Sequence, residues 1–129
     1  MNFRKIHHIA IICSDYNRSK NFYVNKLGFE VIQEVYREER NSYKMDLALN
    51  GEYVIELFSF PAAPARPSYP EARGLRHLAL EVEDIEETVR LLKKEGIETE
   101  EIRIDPYTHK RFTFFEDPDG LPLELYERK

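Results

Sequence analysis

The sequence predicts an α+β fold made of two βαβββ modules in tandem, and three observations predict it. A stretch around His8 recurs around His77, 69 positions on. Each copy runs from an alternating apolar segment into a helix-spaced one that stops at a glycine, Gly28 or Gly96. Each then closes on strand-like segments joined by turn dipeptides.

The first predicted strand covers His8 to Cys13, with Ile9, Ile11 and Cys13 on one side and His8, Ala10 and Ile12 on the other. Tyr16, Phe22, Tyr23 and Leu27 follow at helical spacing, with Ser14 or Asp15 available as a cap. Beyond Gly28, strands are expected from Phe29, from Tyr43 to Leu49 and from Tyr53 to Phe60, the last two joined at Asn50-Gly51, a dipeptide suited to a tight hairpin. Pro61, Pro64, Pro67 and Pro70 mark residues 61–75 as an extended, polyproline-like connector between a first module (1–60) and a second (76–129).

In the second module Leu78, Leu80 and Val82 repeat the apolar row, and Ile85, Val89 and Leu92 the helix. Asp84, with Glu87 three residues on, reads as a capping box. Ile97 to Ile104, Arg111 to Glu116 and Leu121 to Tyr126 are the expected strands, the last two joined through Asp117-Pro118-Asp119-Gly120. The glycines repeat at 68 positions rather than 69, so one residue is missing within or just after the second helix. Neither copy has enough apolar face to be stable alone, and the two should associate as one domain.

At 129 residues, with 42% hydrophobic and 33% charged residues, the chain is of single-domain size and expected to be soluble. No segment approaches the ~20 apolar residues of a membrane span, and the first residues carry no apolar signal region, which points to the cytoplasm. A net charge of −5 argues against nucleic acid and for a small-molecule substrate. Cys13, the only cysteine, reads as an inert buried thiol.

Glu56 lies between Ile55 and Leu57, and Glu124 between Leu123 and Leu125, 68 positions apart like the glycines. If the apolar rows pack beneath the helices, His8, Glu56, His77 and Glu124 all face the opposite side. Two imidazoles and two carboxylates are donors suited to one divalent ion, with zinc, nickel, cobalt, manganese and iron all acceptable. Any one of these residues alone would be better explained as a structural or surface group, and His7 and His109 keep that explanation. The matched offsets favour a shared metal site.

These segments resemble the vicinal-oxygen-chelate superfamily and, within it, bacterial glyoxalase I. The resemblance rests on the segment from His7 to Ile11, on Arg18 to Phe29, on Tyr53 to Leu57, on His77 to Leu80, and on Phe115 to Leu125. It implies a curved, mostly antiparallel, barrel-like sheet, with His8, Glu56, His77 and Glu124 as metal ligands. The four-ligand set is most similar to glyoxalase I. Extradiol dioxygenases and fosfomycin-modifying transferases typically use two His and one Glu, and epimerases commonly place Gln where Glu56 stands.

The implied reaction isomerises the hemithioacetal of a 2-oxoaldehyde such as methylglyoxal and a thiol such as glutathione to a 2-hydroxyacyl thioester, through an enediolate. Glu124 is the expected base and Glu56 its partner, and no redox cofactor is needed. Asn25 stands where glyoxalase I often carries a basic residue that helps to hold glutathione, and Lys110, Arg111, Arg37 or Arg40 could supply the positive charge instead, with Tyr43 among the aromatic residues available to line the pocket. The resemblance also implies a homodimer. An Fe(II) dioxygenase, an epimerase or a non-catalytic ligand-binding protein is the alternative.

Overall fold

A computed structural model describes residues 1–129, and the chain divides into two compact units, Met1–Ala65 and Arg66–Lys129. The first unit contains β1 (Ile9–Cys13), α1 (Tyr16–Lys20), a π-helical turn (Asn21–Lys26), β2 (Glu30–Arg37), a short 3₁₀ turn (Glu38–Arg40), β3 (Ser42–Leu49) and β4 (Glu52–Ser59). The second contains β5 (Leu78–Val82), α2 (Ile85–Lys94), β6 (Arg103–Ile104), β7 (Arg111–Glu116) and β8 (Pro122–Glu127). Each unit carries a four-stranded mixed sheet, in the orders β1-β4-β3-β2 and β5-β8-β7-β6. In both, the first strand pairs with the last in parallel and the other pairs are antiparallel. This is the α+β arrangement that the repeat predicts.

The one-residue difference between the copies has a structural counterpart in the first helix. Asp15 caps α1 by accepting from the Arg18 amide at 3.1 Å. The helix then widens, with the Leu27 amide donating to the Phe22 carbonyl, five residues back, at 2.9 Å. A π turn is a one-residue insertion into an α-helix. Phe22 and Tyr23 on this turn are both buried. Asp84 caps α2 through the Glu87 amide at 3.0 Å. Only half of the expected capping box forms, because the Glu87 carboxylate turns to Arg90.

Ile11, Cys13, Met45, Leu47, Ile55 and Leu57 form the buried face of the first sheet, with Phe22, Tyr23 and Phe29 among the core residues. In the second unit Leu123, Leu125, Phe115 and Thr113 join Ile85 and Leu92. Burying a large aliphatic side chain contributes about 1.5–3 kcal/mol, so these rows dominate the stability of each unit.

Two expectations are corrected. The strand anticipated from Ile97 to Ile104 shrinks to Arg103–Ile104, paired with Phe112 and Arg111. Glu98, Glu100 and Glu101 precede it, and acidic residues are poor strand formers. Only Glu100 is tied to the neighbouring strand, its amide donating to the Phe114 carbonyl at 2.8 Å and its carbonyl accepting from the Thr113 hydroxyl at 2.8 Å. The connector is not uniformly extended either. It turns at Pro61–Ala62 and again from Ser68 onward, where Arg66 donates to the Leu75 and Arg76 carbonyls at 2.8 and 3.0 Å and fastens the segment to its own unit.

Arg111 reaches Glu127 with two 2.7 Å bonds, and these hold the Glu127 carboxyl below the usual carboxylate range despite its partial burial. A depressed folded-state pKa stabilises the fold above the unfolded carboxyl's value, about 4.3, and that contribution disappears as pH falls through the folded value. Urea midpoints between pH 3 and 7 should therefore fall on the acid side, and Glu127→Gln should flatten that fall relative to the parent chain.

Candidate metal centre

The parallel pairing of first and last strands builds one histidine–carboxylate pair in each unit. In the first, Ala10 lies opposite Glu56 on β4. His8 precedes Ala10 by two residues and so falls on its face. Its Nε2 lies 3.7 Å from Glu56 Oε1. In the second unit Ala79 lies opposite Glu124 on β8, and His77 Nε2 is 2.9 Å from Glu124 Oε2. Two donors each about 2.1 Å from one ion, at an angle between 90° and 109°, are separated by about 3.0–3.4 Å. Both pairs are close to that spacing, and their nitrogen and oxygen donors suit a first-row divalent ion. Within either unit no third His, Cys, Asp or Glu completes a ligand cluster.

The two pairs sit in different surroundings. Asp46 lies opposite Glu56 on β3, where the second unit has Phe114 opposite Glu124. Lys44 bonds Asp46 at 2.8 Å and approaches Glu56 Oε2 at 3.3 Å. The Tyr53 hydroxyl donates to Asp46 at 2.7 Å and lies 3.3 Å from the same Glu56 oxygen. The Tyr53 ring stacks on His8, with centroids 5.0 Å apart. One oxygen of Glu56 is thus anchored and the other faces the imidazole. Burial alone would raise the Asp46 carboxyl, but bonds from Lys44 and Tyr53 hold it down. The bond to Asp46 raises the Lys44 ammonium, while burial and then the bond to Asp46 raise the Tyr53 phenol, so both stay protonated donors.

Glu124 has none of this support. His77 is its one polar partner, and Phe114 packs edge-on against that histidine at 5.1 Å. Arg76 Nη1 lies 2.9 Å from His77 Nδ1. A carboxylate held by a single partner can leave it at little cost, whereas Glu56 would have to give up bonds to both Lys44 and Tyr53.

Lys44, Asp46 and Tyr53 are absent from the residues that the sequence nominates, and a β-bulge is the reason. Counting back from Asn50-Gly51 pairs Leu49 with Glu52 and Ala48 with Tyr53, which would set Asp46 against Ile55. The register shifts at Leu47/Ala48, so Asp46 meets Glu56 instead, and Tyr53 shares a face with a residue three positions away.

The other nominated residues are distributed as follows. Asn25 lies on the π turn, exposed, bonded to Asn21 at 2.8 Å. Tyr43 stacks on Tyr16 at 4.4 Å, on the face of its sheet opposite Glu56. Arg111 alternates with the ligand-face residues Phe112 and Phe114, and Glu127 and Glu86 take up its charge. Lys110 ends the turn before β7, its amide 3.3 Å from Thr108 Oγ1. Arg37 lies on the Glu56 face of the first sheet, with its guanidinium 4.9 Å from the Phe58 ring centroid.

The family model for the Glyoxalase/Bleomycin resistance protein/Dioxygenase superfamily matches residues 5–125. The chain is 68% identical to the uncharacterized protein YwkD of Bacillus subtilis, covering 99% of this chain and 100% of that one. It is 31% identical to lactoylglutathione lyase of Salmonella typhimurium, over 95% of this chain and 91% of the relative. The crystal structure of a glyoxalase family protein from Enterococcus faecalis, 57% identical, superposes with a TM-score of 0.92 over 98% of this chain and 100% of that one.

Asp46→Ala should lower stability by about 1–3 kcal/mol, because it removes the best acceptor of two donors. Urea denaturation of Asp46→Ala, Lys44→Met and the double variant would measure the coupling. Additive losses would mean that the two side chains do not act as a unit.

Proposed function

The chain belongs to the Glyoxalase/Bleomycin resistance protein/Dioxygenase superfamily, and on that premise we propose that it is a metal-dependent isomerase of the glyoxalase I kind, acting on the hemithioacetal of a 2-oxoaldehyde and a thiol. The observation that carries this reading is the pair of equivalent histidine–carboxylate sites, one carboxylate held also by Lys44 and Tyr53 and the other by its histidine alone. A divalent metal is common in the superfamily. His8, Glu56, His77 and Glu124 are the residues proposed as ligands of such an ion. When bound, it supplies Lewis-acid stabilisation of negative charge on the substrate's neighbouring oxygens.

The chain's own residues do the rest. Glu124 takes the proton from the carbon bearing hydroxyl and sulfur and returns it to the adjacent carbonyl carbon, while the hydroxyl proton passes to the neighbouring oxygen, leaving a 2-hydroxyacyl thioester with no net change in atoms or electrons. A base must move between two carbons, and Glu124 is the carboxylate with the freedom to do so. Glu56, fixed by Lys44 and Tyr53, keeps its second oxygen aimed at the ligand position. The similarity to lactoylglutathione lyase supports glutathione as the thiol, and 2-oxoaldehydes such as methylglyoxal as its partners.

We take the working unit to be a homodimer in the cytoplasm. Support for association comes from β2, which lies at the edge of its sheet and leaves Val31, Ile32, Val35 and Tyr36 exposed. No helix of the chain is long and apolar enough to cross a membrane.

The test is hemithioacetal turnover by metal-stripped protein reloaded separately with nickel, cobalt, zinc, manganese or iron(II). Glu124→Gln should still bind the ion, measured by calorimetry, while turnover falls by roughly a hundredfold or more. Wild-type rates in metal-loaded Glu124→Gln would remove Glu124 as the base, and no turnover with any ion or thiol would favour ligand binding over catalysis. Light scattering should give twice the chain's 15.4 kDa mass.

A further inference from the structure

The histidine of each pair has a second neighbour, and the two neighbours are themselves equivalent in the repeat. His7 precedes His8 as Arg76 precedes His77, at the same 69-residue offset. His7 Nδ1 lies 2.8 Å from His8 Nδ1, and Arg76 Nη1 lies 2.9 Å from His77 Nδ1. A guanidinium carries only N–H donors, so His77 Nδ1 accepts from it and the ring's own proton sits on Nε2. The other side of the ring agrees, because Nε2 stands 2.9 Å from Glu124 Oε2, the length of a hydrogen bond donated to a carboxylate. His8 is under neither condition. An imidazole neighbour donates or accepts according to its own tautomer, and the 3.7 Å from His8 Nε2 to Glu56 Oε1 is too long for a hydrogen bond.

This difference bears on coordination. A neutral imidazole binds a cation through its bare nitrogen, and a ligand histidine donates its opposite N–H to an acceptor. For His77 to coordinate through Nε2, that nitrogen gives its proton to water and Nδ1 takes one from water. The ring stays neutral, but an N–H now points at the N–H of Arg76, and the guanidinium has to leave. Its side chain is 61% exposed, and Nη2 already stands 3.9 Å from Glu71 Oε1, so a carboxylate is at hand to receive it. The backbone beneath it stays tied, since the Arg76 carbonyl accepts from Arg66 at 3.0 Å.

We propose that Arg76 is a positioning residue that latches His77 in the tautomer unable to coordinate through Nε2. A divalent cation then enters the second unit's pair only as the guanidinium swings off Nδ1, whereas His7 accepts from Nδ1 of His8 and leaves its Nε2 bare. The role of the cation rests on the proposed function, but the tautomer does not. Arg76 thereby sets the ion affinity of a pair to which it contributes no ligand.

Long-range ¹H–¹⁵N correlation spectra of the full chain, stripped of metal and held at about pH 8 where an ordinary histidine is neutral, read the tautomer directly. His77 should carry its proton on Nε2, and its Nδ1 resonance should move when Arg76→Met removes the donor. Calorimetry with zinc then reads the latch. Arg76→Met should tighten binding roughly tenfold, the scale on which groups bonded to ligand histidines act. Arg103 supplies the charge control, because its guanidinium lies 6.0 Å from the Phe114 ring centroid, as that of Arg76 does, and bonds Glu100 instead of a histidine. Arg103→Met should leave zinc affinity unchanged. A proton on Nδ1 in the parent chain, an Nδ1 resonance indifferent to Arg76→Met, zinc affinity unmoved by Arg76→Met, or an equal gain from both substitutions would overturn the latch. Zinc binding by none of the variants would remove the proposed ligand set and the gate with it, while a tautomer fixed by Arg76 would stand on the spectra.

Discussion

The arrangement of both units depends on one pairing, the parallel ladder between the first and last strands of each module. A parallel pair cannot be closed by a hairpin, so the helix and the intervening strands are the path by which the chain returns to its starting edge. The return sets Ala10 against Glu56 and Ala79 against Glu124. Strand alternation then carries the imidazoles of His8 and His77 to the carboxylates, and sends Ile11, Cys13, Leu57 and Leu125 into the core. A slip of one residue in either ladder would bury a glutamate and expose a leucine, so the same burial that stabilises each sheet also fixes its pair of ligand-type donors.

The two equivalent pairs differ in what the neighbouring strand sets beside them. On β3 the residues beside Glu56 are Lys44 and Asp46, whereas β7 offers Phe112 and Phe114 beside Glu124. The first setting is a connected polar network with the carboxylate as one node. The second is an aromatic wall with a single imidazole. Two chemically identical side chains at equivalent positions therefore have different polar support, although the strands that bear them are alike.

The repeat, the element order, both helix caps and the histidine–glutamate pairs were legible because each depends on local chemistry: alternation, helical spacing, a carboxylate before a helix, a glycine after one. Several features were not. The π turn in the first helix showed itself only as an unexplained change in offset from 69 to 68. The brevity of β6 followed from acidic residues whose cost depends on what they face. Tyr43 and Arg111, nominated as pocket residues, fall on the opposite sheet faces, and Arg111 is taken up by Glu127. Its charge was visible in the sequence, while the carboxylate awaiting it sixteen residues later on the adjoining strand was not.

By itself the sequence determined two βαβββ modules and the residues able to act as metal donors, because periodicity and turn chemistry operate over a few residues and survive without knowledge of the rest of the chain. Tertiary structure alone decided which neighbours those donors have. The β-bulge at Leu47/Ala48 brings Asp46 and Tyr53 to Glu56, and the β2–β3–β4 register seats the Arg37 guanidinium over Phe58 and Phe60. Register is a property of two strands at once, and a single inserted residue reverses the face of everything beyond it, so no local pattern in either strand could have specified it.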